Sequence, residues 1–353
     1  MSKLLIASIF GSWMVRSRRY WIDVEADTAR MTPRPDGTVD FAPLYGIEDV
    51  GRVDVRGRWG RRSDRERLNV VIGVRASGAP LVLDMKPAID GGAGPHGLVF
   101  GATASGKSEL LQSMVLGLAV EHAPGELNFI LAQSMGSDTF DSVRTLPHVA
   151  GYFPNFDCDD DNPALGQQLT DVIVKEVLRR LERVDSAGDF DSFSEYVQAV
   201  KREGASLDPL PALVIVIDEF SQIARTDERK FLDMVALVGR TGRVAGVNLL
   251  LATRGTNPDA LHRISPFLSY RIALKTFSRN ESREVLGVSD AADLPGIPGE
   301  AYLRTGDETT TRFRGAHSSY RIRMPNADED FGVSFAEALS SVLELNSSVH
   351  RLH

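Results

Sequence analysis

Two stretches of the sequence, residues 212–217 and 247–252, are almost entirely apolar and rich in β-branched side chains. Continuous apolar runs of this length are typical of strands buried on both faces of a parallel sheet. Shorter apolar runs predict four further strands, at residues 97–100, 127–132, 149–153 and 270–274. The chain therefore has the strands of a mainly parallel sheet.

Other segments of the chain have apolar residues at the spacing of a helix. Apolar residues at helical spacing predict helices over residues 163–184, 193–202 and 334–345, and one more that stops before Pro124-Gly125. Residues 69–74 and 80–84 predict a hairpin closed around Ser77-Gly78. Alternating strands and helices indicate an α/β fold with a doubly wound, mainly parallel sheet and a β-rich N-terminal extension.

A glycine-rich segment follows the first of these parallel strands. It matches G-x-x-x-x-G-K-[ST], the pattern of a phosphate-binding P-loop. A strand, such a loop and a helix N-terminus together direct several backbone N–H groups and the helix dipole at one anion. We expect Lys107 to reach the β- and γ-phosphates of ATP and the Ser108 hydroxyl to bind Mg²⁺. The predicted nucleotide-binding residues are Gly101, Ala102, Thr103, Ala104, Ser105, Gly106, Lys107, Ser108 and Glu109.

Two carboxylates, Asp218 and Glu219, end the most apolar strand. Burying a carboxylate is costly unless it meets a cation, and the carboxyl ends of parallel strands face the ligand crevice. We therefore expect Asp218 to hold Mg²⁺ and Glu219 to act as general base toward the attacking water. Thr253 and Arg254 end the next apolar strand and are expected beside the γ-phosphate, with Thr253 among the catalytic residues.

Two arginines, Arg243 and Arg240, lie in the run Gly239-Arg240-Thr241-Gly242-Arg243, which we place in a surface loop after a helix. An arginine from a neighbouring subunit can stabilise the charge that develops during phosphoryl transfer. Arg243, and after it Arg240, are candidates for that role. Surface arginines that cap the end of a helix are an equally good interpretation of the same residues.

Composition narrows the possible partners. The net charge is −8, from 40 basic and 48 acidic residues, so the whole molecule is not a basic nucleic-acid binder. Six arginines between residues 56 and 67 either bind an acidic partner or form a solvated loop with Asp64 and Glu66. No apolar run approaches the ~20 residues that span a bilayer, so membrane attachment would need another segment or subunit.

Other polar residues carry less information. The single cysteine, Cys158, suits a reducing compartment and lies in the acidic loop 157–161, which we interpret as solvated. His96 and His148 are far apart and lack ligand spacing, so we interpret them as structural histidines rather than metal ligands. Residues 20–24 could form a strand in an N-terminal region that is otherwise hard to interpret.

Several short blocks resemble one family. They include Gly94-Pro95-His96-Gly97 before the P-loop, Asp218-Glu219-Phe220, the Gly-Arg-x-Gly-Arg run and the Leu-Leu-Leu-Ala-Thr segment that ends at Thr253. These blocks look like the FtsK/SpoIIIE class of motor ATPases. Segments around Leu146-Pro147-His148, residues 270–278 and Glu281-Ser282-Arg283 resemble more specifically the first ATPase domain of the EccC family of type VII secretion ATPases.

The resemblance covers about residues 41–320 and implies a RecA-like fold and ATP hydrolysis on the cytoplasmic face of the membrane. It also implies a homo-oligomer, with a hexameric ring in the assembled machine, and partners among other ATPase domains, membrane subunits and secreted helical-hairpin proteins. We place the ATPase domain at residues 65–320, between an N-terminal extension, 1–64, and a C-terminal tail, 321–353.

Some positions depart from the family pattern. Ala104 replaces a usual glycine, Arg254 replaces a usual glutamine, and Gln133-Ser134-Met135-Gly136-Ser137 replaces a charged motif after the second strand. A DNA translocase and a nucleotide-binding module with weak or no hydrolysis are therefore the alternatives to a secretion ATPase. The acidic balance makes DNA the less favoured partner.

Overall fold

The computed structural model describes most of the chain and places it around one large sheet. The described residues are 37–61, 63, 65–156, 164–203, 207–255, 258–306, 309–322 and 333–350. The predicted strand at residues 20–24 and the acidic loop with Cys158 lie outside this part of the chain. None of the helices within it is both long and apolar enough to cross a membrane.

Eleven of the strands within the described residues form a single mixed sheet. Those that carry the fold are β1 (Val39–Asp40), β2 (Asn69–Arg75), β3 (Pro80–Asp84), β4 (His96–Phe100), β5 (Leu127–Gln133), β6 (Val149–Pro154), β7 (Ala212–Asp218), β8 (Val247–Thr253), β9 (Tyr270–Leu274), β10 (Glu300–Arg304) and β11 (Thr310–His317). The order along the sheet is β3-β2-β11-β10-β9-β4-β8-β7-β5-β6, and β1 pairs with β11. A separate two-stranded sheet joins β12 (Arg321–Ile322) to β13 (Val333–Ser334).

The sheet has a parallel half and an antiparallel half. Strands β9, β4, β8, β7, β5 and β6 are parallel neighbours, which confirms every strand predicted for this region. The predicted hairpin β2-β3 pairs with β11, and β11 pairs in turn with β10, all antiparallel. The carboxyl ends of β4, β7 and β8 therefore meet at one edge of the sheet, which we call the carboxyl edge.

Helices cover both faces of the sheet. They are α1 (Phe41–Leu44), α2 (Val55–Arg61), α3 (Lys107–Glu121), α4 (Ala164–Ala187), α5 (Phe193–Glu203), α6 (Phe220–Thr226), α7 (Glu228–Ala245), α8 (Pro258–Ile264), α9 (Arg279–Leu286) and α10 (Phe335–His350). Alternate residues of β7 serve the two faces: Val214 and Val216 pack with α3, whereas Ile215 and Ile217 pack with α7. This two-sided burial explains why the strand is apolar throughout.

The segments before and after the predicted ATPase domain pack on the same core. Phe41 stacks on Tyr45, with ring centroids 4.4 Å apart, and also contacts Phe335 of α10. Phe335 stacks on Tyr320, with a centroid distance of 4.9 Å. The described parts of the predicted extension and tail thus share one hydrophobic cluster with α3.

A solvated loop was one of the two interpretations of the arginine-rich segment, and the first part of the segment is instead helix α2. Arg58 is largely buried and bonds Glu121 of α3 at 2.7 Å and the Tyr45 carbonyl oxygen at 2.6 Å. The Arg67 guanidinium lies over the Phe193 ring, 5.5 Å from its centroid. Because Arg58 and Arg67 contact different parts of the core, these two side chains do not belong to one basic surface.

Candidate active site

The glycine-rich loop lies at the carboxyl edge, between β4 and the start of α3. Its first residues are fixed by the neighbouring strands: Gly101 N donates to the Thr253 carbonyl at 3.2 Å and Ala102 N to the Lys275 carbonyl at 2.9 Å. Gly106 has φ +93°, and a Cβ there would lie 2.5 Å from Gly299 N. Glycine is required at this point because the left-handed conformation and the close backbone both exclude a side chain.

Ala104 occupies the position where the family has glycine. It has φ +62°, in the left-handed region, and its side chain is exposed. A non-glycine residue in this region costs roughly 1–2 kcal/mol. The loop therefore keeps a glycine-like backbone despite the substitution.

Lys107 and Asp218 meet across the site. The Lys107 ammonium contacts Asp218 Oδ1; the Asp218 side chain is buried, and that of Lys107 is 11% exposed. Asp218 Oδ2 accepts a 2.7 Å hydrogen bond from Thr139 Oγ1, and Ser137 Oγ lies 3.4 Å away. The structure thus brings together the predicted lysine and strand carboxylate, which are 111 residues apart in the chain.

Ser137 and Thr139 are polar partners of Asp218 that the sequence analysis did not identify. They follow β5, which pairs with β7 and so ends beside Asp218. Gln133 shapes this loop: its amide oxygen accepts from Phe140 N at 2.7 Å, and its nitrogen donates to the Ser137 carbonyl at 2.6 Å. The sequence that replaces the family's charged motif therefore brings the Ser137 hydroxyl to the site, and Thr139, two residues later, brings a second one.

Glu219 is buried in a left-handed backbone conformation, with φ +66°. Its Oε1 accepts from Ser221 Oγ and from Thr253 Oγ1, each at 2.8 Å. Its Oε2 accepts from Arg254 N at 3.2 Å and lies 3.5 Å from Arg254 Nε. Thr253, predicted as a catalytic residue, thus contacts the predicted base directly.

Ser108 and Glu109 follow Lys107 on α3 but lie in different surroundings. Ser108 is exposed in the first turn of the helix. Glu109 is directed at the turn after β11: its Oε1 accepts from Ser318 N, from Ser318 Oγ at 2.9 Å and from Ser319 N at 2.9 Å. Because three donors from this turn hold its carboxylate, Glu109 ties α3 to the antiparallel half of the sheet, and the structure does not support placing it among the phosphate ligands.

The position predicted for Arg240 and Arg243 is wrong. Both residues lie within α7, in its last turns, and not in a loop after it. Helix α7 ends at the start of β8, at the edge of the sheet opposite the P-loop; the seven residues of β8 separate the two edges by roughly 20 Å. Both side chains are exposed. Neither arginine can therefore reach the P-loop of its own chain.

His96 and His148 are buried, as expected of structural histidines. His96 Nδ1 accepts from Leu249 N at 3.1 Å, and His148 Nε2 bonds the His122 carbonyl at 2.7 Å. Burial lowers the pKa of each imidazole to about 4. Both rings are therefore neutral at pH 7, and within the described part of the chain no group of histidine, cysteine, aspartate and glutamate residues has the arrangement of a metal site.

The residues at the carboxyl edge fit ATP and Mg²⁺ chemically. At Gly101, a Cβ would lie 2.4 Å from Ser105 Oγ, so the loop can close on itself in this compact form only with glycine there. The possible metal ligands, Ser108 and Asp218, carry hydroxyl and carboxylate oxygens, which Mg²⁺ prefers. Lys107 supplies the cation that a phosphate group requires.

The sequence profile of the FtsK/SpoIIIE family matches residues 53–266. The chain belongs to the FtsK/SpoIIIE family. This stretch contains the P-loop, the strand carboxylates and Thr253, so the chain is a P-loop ATPase domain and the fold predicted from the sequence is confirmed.

Within the FtsK/SpoIIIE family, the chain is similar in sequence to type VII secretion ATPases. The ESX secretion system protein EccC of Thermomonospora curvata is 42% identical over 278 residues, 78% of this chain and 21% of that protein. The ESX-4 secretion system protein EccC4 of Mycobacterium tuberculosis is 39% identical over 283 residues, 80% of this chain and 22% of that protein. The chain thus spans about a fifth of these relatives.

A solved structure agrees with this relationship. The cytoplasmic domain of the Thermomonospora curvata type VII secretion ATPase EccC superposes with a TM-score of 0.79 and 39% sequence identity, covering 87% of this chain and 34% of that chain. The homology to EccC that the short sequence blocks indicated is confirmed.

Proposed function

We propose that this ATPase domain powers or gates the export of small helical proteins by a type VII secretion system. The observation that carries the proposal is the assembly of Lys107, Asp218, Glu219 and Thr253 at one edge of the sheet, in a chain that is 42% identical to EccC of Thermomonospora curvata over 278 residues. A DNA translocase would use the same nucleotide site. The net charge of −8 and the separate roles of Arg58 and Arg67 argue against that alternative.

The P-loop residues bind the phosphates of ATP in this proposal. The backbone N–H groups of Thr103, Ala104 and Gly106 and the N-terminus of α3 receive phosphate oxygens. Lys107 exchanges its contact with Asp218 for the β- and γ-phosphates, which carry more negative charge than a single carboxylate. Ser108 and Asp218 hold Mg²⁺, which neutralises charge on the β- and γ-phosphates when it is bound.

Glu219 is the general base. In its role it accepts a proton from the attacking water, whose oxygen forms the new bond to the γ-phosphorus. The bond between the γ-phosphorus and the β–γ bridging oxygen breaks, and ADP leaves with that oxygen. Thr253 donates its hydroxyl proton either to Glu219 or to the Gly255 carbonyl, at 2.8 and 2.9 Å, and so orients the carboxylate. Ser137 and Thr139 position Asp218 in the same way through its second oxygen.

Arg243 and Arg240 complete the site of a neighbouring subunit. Both side chains are exposed on α7 and lie far from the P-loop of their own chain. If they take part in catalysis, they therefore act at the P-loop of another subunit. We further propose a homo-oligomer, a hexameric ring in the machine, that contacts other ATPase domains, membrane subunits and secreted helical-hairpin proteins on the cytoplasmic face of the membrane. Any membrane anchor belongs to another segment or subunit.

The catalytic domain is residues 65–320 in this proposal, and the flanking segments brace it. The support is the hydrophobic cluster that Phe41 and Phe335 share with α3. Through α3, the flanking segments reach the helix that begins at Lys107.

The secretion assignment is tested by titration while ATP turnover is followed. The purified chain is titrated separately with duplex DNA, with a candidate secreted helical-hairpin protein and with an adjoining ATPase domain. We expect turnover to respond to a protein partner and not to duplex DNA, whose binding would depend steeply on salt. Strong, salt-sensitive activation by DNA alone would replace secretion with DNA translocation as the function.

A further inference from the structure

Both oxygens of the Glu219 carboxylate have close partners: three hydrogen-bond donors and one guanidinium in ion-pair contact. A carboxylate accepts at about four lone-pair positions. Ser221 Oγ and Thr253 Oγ1 occupy those of Oε1, and Arg254 N and its guanidinium face Oε2. A general base must instead direct a lone pair at the water that it deprotonates. One of these contacts must therefore open before Glu219 can act.

Arg254 carries the contact that can open at the lowest cost. Its side chain is 55% exposed, whereas the Glu219 side chain is 6% exposed. Thr253 is 2% exposed and is fixed within β8, and the Arg254 N–H belongs to the backbone. The guanidinium alone can leave for solvent without moving the sheet.

We propose that Arg254 is a positioning residue that restrains Glu219 and thereby slows ATP hydrolysis. Its guanidinium holds Oε2 away from the attacking water, and turnover requires the ion pair to separate. This inference rests on the proposed role of Glu219 as base. The family pattern has glutamine at this position, and a neutral side chain would not form an ion pair with the base. The proposed restraint therefore depends on the arginine.

The test compares single variants of Arg254 at chain concentrations where turnover per chain no longer rises. We expect Arg254→Gln to increase kcat roughly threefold, the size expected for a half-exposed ion pair, with little change in the KM for ATP. Arg254→Lys keeps a positive charge, and its kcat is expected to stay near that of the wild type. A structural role would instead lower thermal stability and alter both variants together.

Two further variants control the interpretation. Arg263 is 59% exposed and pairs with Glu228 at 3.6 Å rather than with Glu219, so Arg263→Gln removes a comparable ion pair and should leave kcat unchanged. In the double variant Arg254→Gln with Glu219→Gln, kcat should be as low as in Glu219→Gln alone. That result shows that the gain passes through Glu219.

Each remaining outcome contradicts either the restraint by Arg254 or the role of Glu219 as base. If Glu219→Gln lowers kcat but Arg254→Gln leaves it unchanged, the restraint is wrong and the proposed base stands. A fall in kcat in Arg254→Gln would show that Arg254 assists the reaction, which also overturns the restraint. If Glu219→Gln turns over ATP as fast as the wild type, both the proposed base and its restraint are wrong.

Discussion

The polar residues at the carboxyl edge of the sheet and those at the opposite edge lie in different surroundings. The carboxyl edge holds strained backbone at Ala104 and Glu219, together with the ion pair of Lys107 and the buried Asp218. The opposite edge holds the neutral, buried His96 at the start of β4 and the exposed Arg243 near the end of α7. Strain and buried charge are costly and mark functional sites. We infer that the carboxyl edge serves chemistry, whereas the opposite edge serves stability and contact with a neighbouring subunit.

The largest effect is expected from Lys107→Ala. This change removes the cation that binds phosphate and leaves Asp218 buried without its ion-pair partner. A charge-assisted phosphate contact is worth about 1.5–3 kcal/mol, so ATP affinity should fall by one to two orders of magnitude. Titration with a fluorescent ATP analogue measures this change. Lys230→Ala, which removes a lysine paired with Asp171 on the surface, is the control and should bind ATP normally.

The second prediction concerns Arg243 and assembly. If Arg243 acts in trans, turnover per chain should rise with protein concentration until it reaches a constant value. Arg243→Ala should lower that constant value at least tenfold. Mixing Arg243→Ala subunits with Glu219→Gln subunits should restore part of the activity, because some interfaces then combine an intact Arg243 with an intact Glu219. Concentration-independent turnover by a proven monomer would show that the neighbour supplies nothing.

The third prediction concerns pH and the buried histidines. In the unfolded chain a histidine binds a proton below pH ~6.5, whereas burial lowers the folded pKa of His96 and of His148 to about 4. Their contribution to stability is therefore complete above pH 6.5 and is lost as the pH falls toward 4. Lowering the pH from 7 to 5 should therefore reduce the free energy of unfolding by roughly 2 kcal/mol for each histidine.

Urea unfolding at several pH values measures the histidine effect. His148→Gln keeps a donor for the His122 carbonyl but does not titrate, so its stability should fall less steeply between pH 7 and pH 5. An unchanged slope would mean that His148 is not protonated on unfolding. Turnover at pH 7 in this variant should stay near that of the wild type, because His148 is remote from the P-loop.

The smallest effect is expected from Ala104→Gly. Glycine adopts φ +62° without the steric cost that alanine has there, but it also gains entropy in the unfolded chain. The two terms nearly cancel, so the unfolding free energy should change by less than about 1 kcal/mol. ATP turnover should change by less than about twofold, as measured in parallel with the wild type. A large gain in turnover would show that the strain at Ala104 limits catalysis.

Local patterns were sufficient for the parallel half of the sheet. Strands β7 and β8 are apolar on both faces, and the P-loop follows a strand and begins a helix, so neither needed information from distant residues. The antiparallel strands β10 and β11 were not predicted. Their short sequences mix apolar residues with polar and charged ones, and β11 also pairs with β2, more than 200 residues away in the chain.

The helix that contains Arg240 and Arg243 shows where local reasoning was wrong. Two glycines in five residues favour a loop, because glycine lowers helix propensity. In the structure they instead permit close packing: a Cβ on Gly239 would lie 2.4 Å from the Phe267 ring, and one on Gly242 would lie 2.6 Å from the Val247 carbonyl oxygen. Tertiary contacts that the sequence pattern does not reveal stabilise this helix.

The partners of the two carboxylates were also beyond local patterns. Thr139 belongs to no motif, and its contact with Asp218 follows from the pairing of β5 with β7. Arg254 was expected beside the γ-phosphate and noted as a departure from the family pattern, but its contact with Glu219 was not predicted. Its contact with Glu219 depends on the left-handed backbone at the end of β7, which directs the carboxylate toward β8.

ATP turnover by Glu219→Gln, compared with wild type at saturating ATP and Mg²⁺, tests most directly whether the carboxyl edge performs the chemistry. The substitution keeps the side-chain volume and removes the base. We predict that ATP binds with wild-type affinity while kcat falls by at least about a hundredfold. Turnover equal to that of the wild type, above the background of contaminating ATPases, would contradict the account.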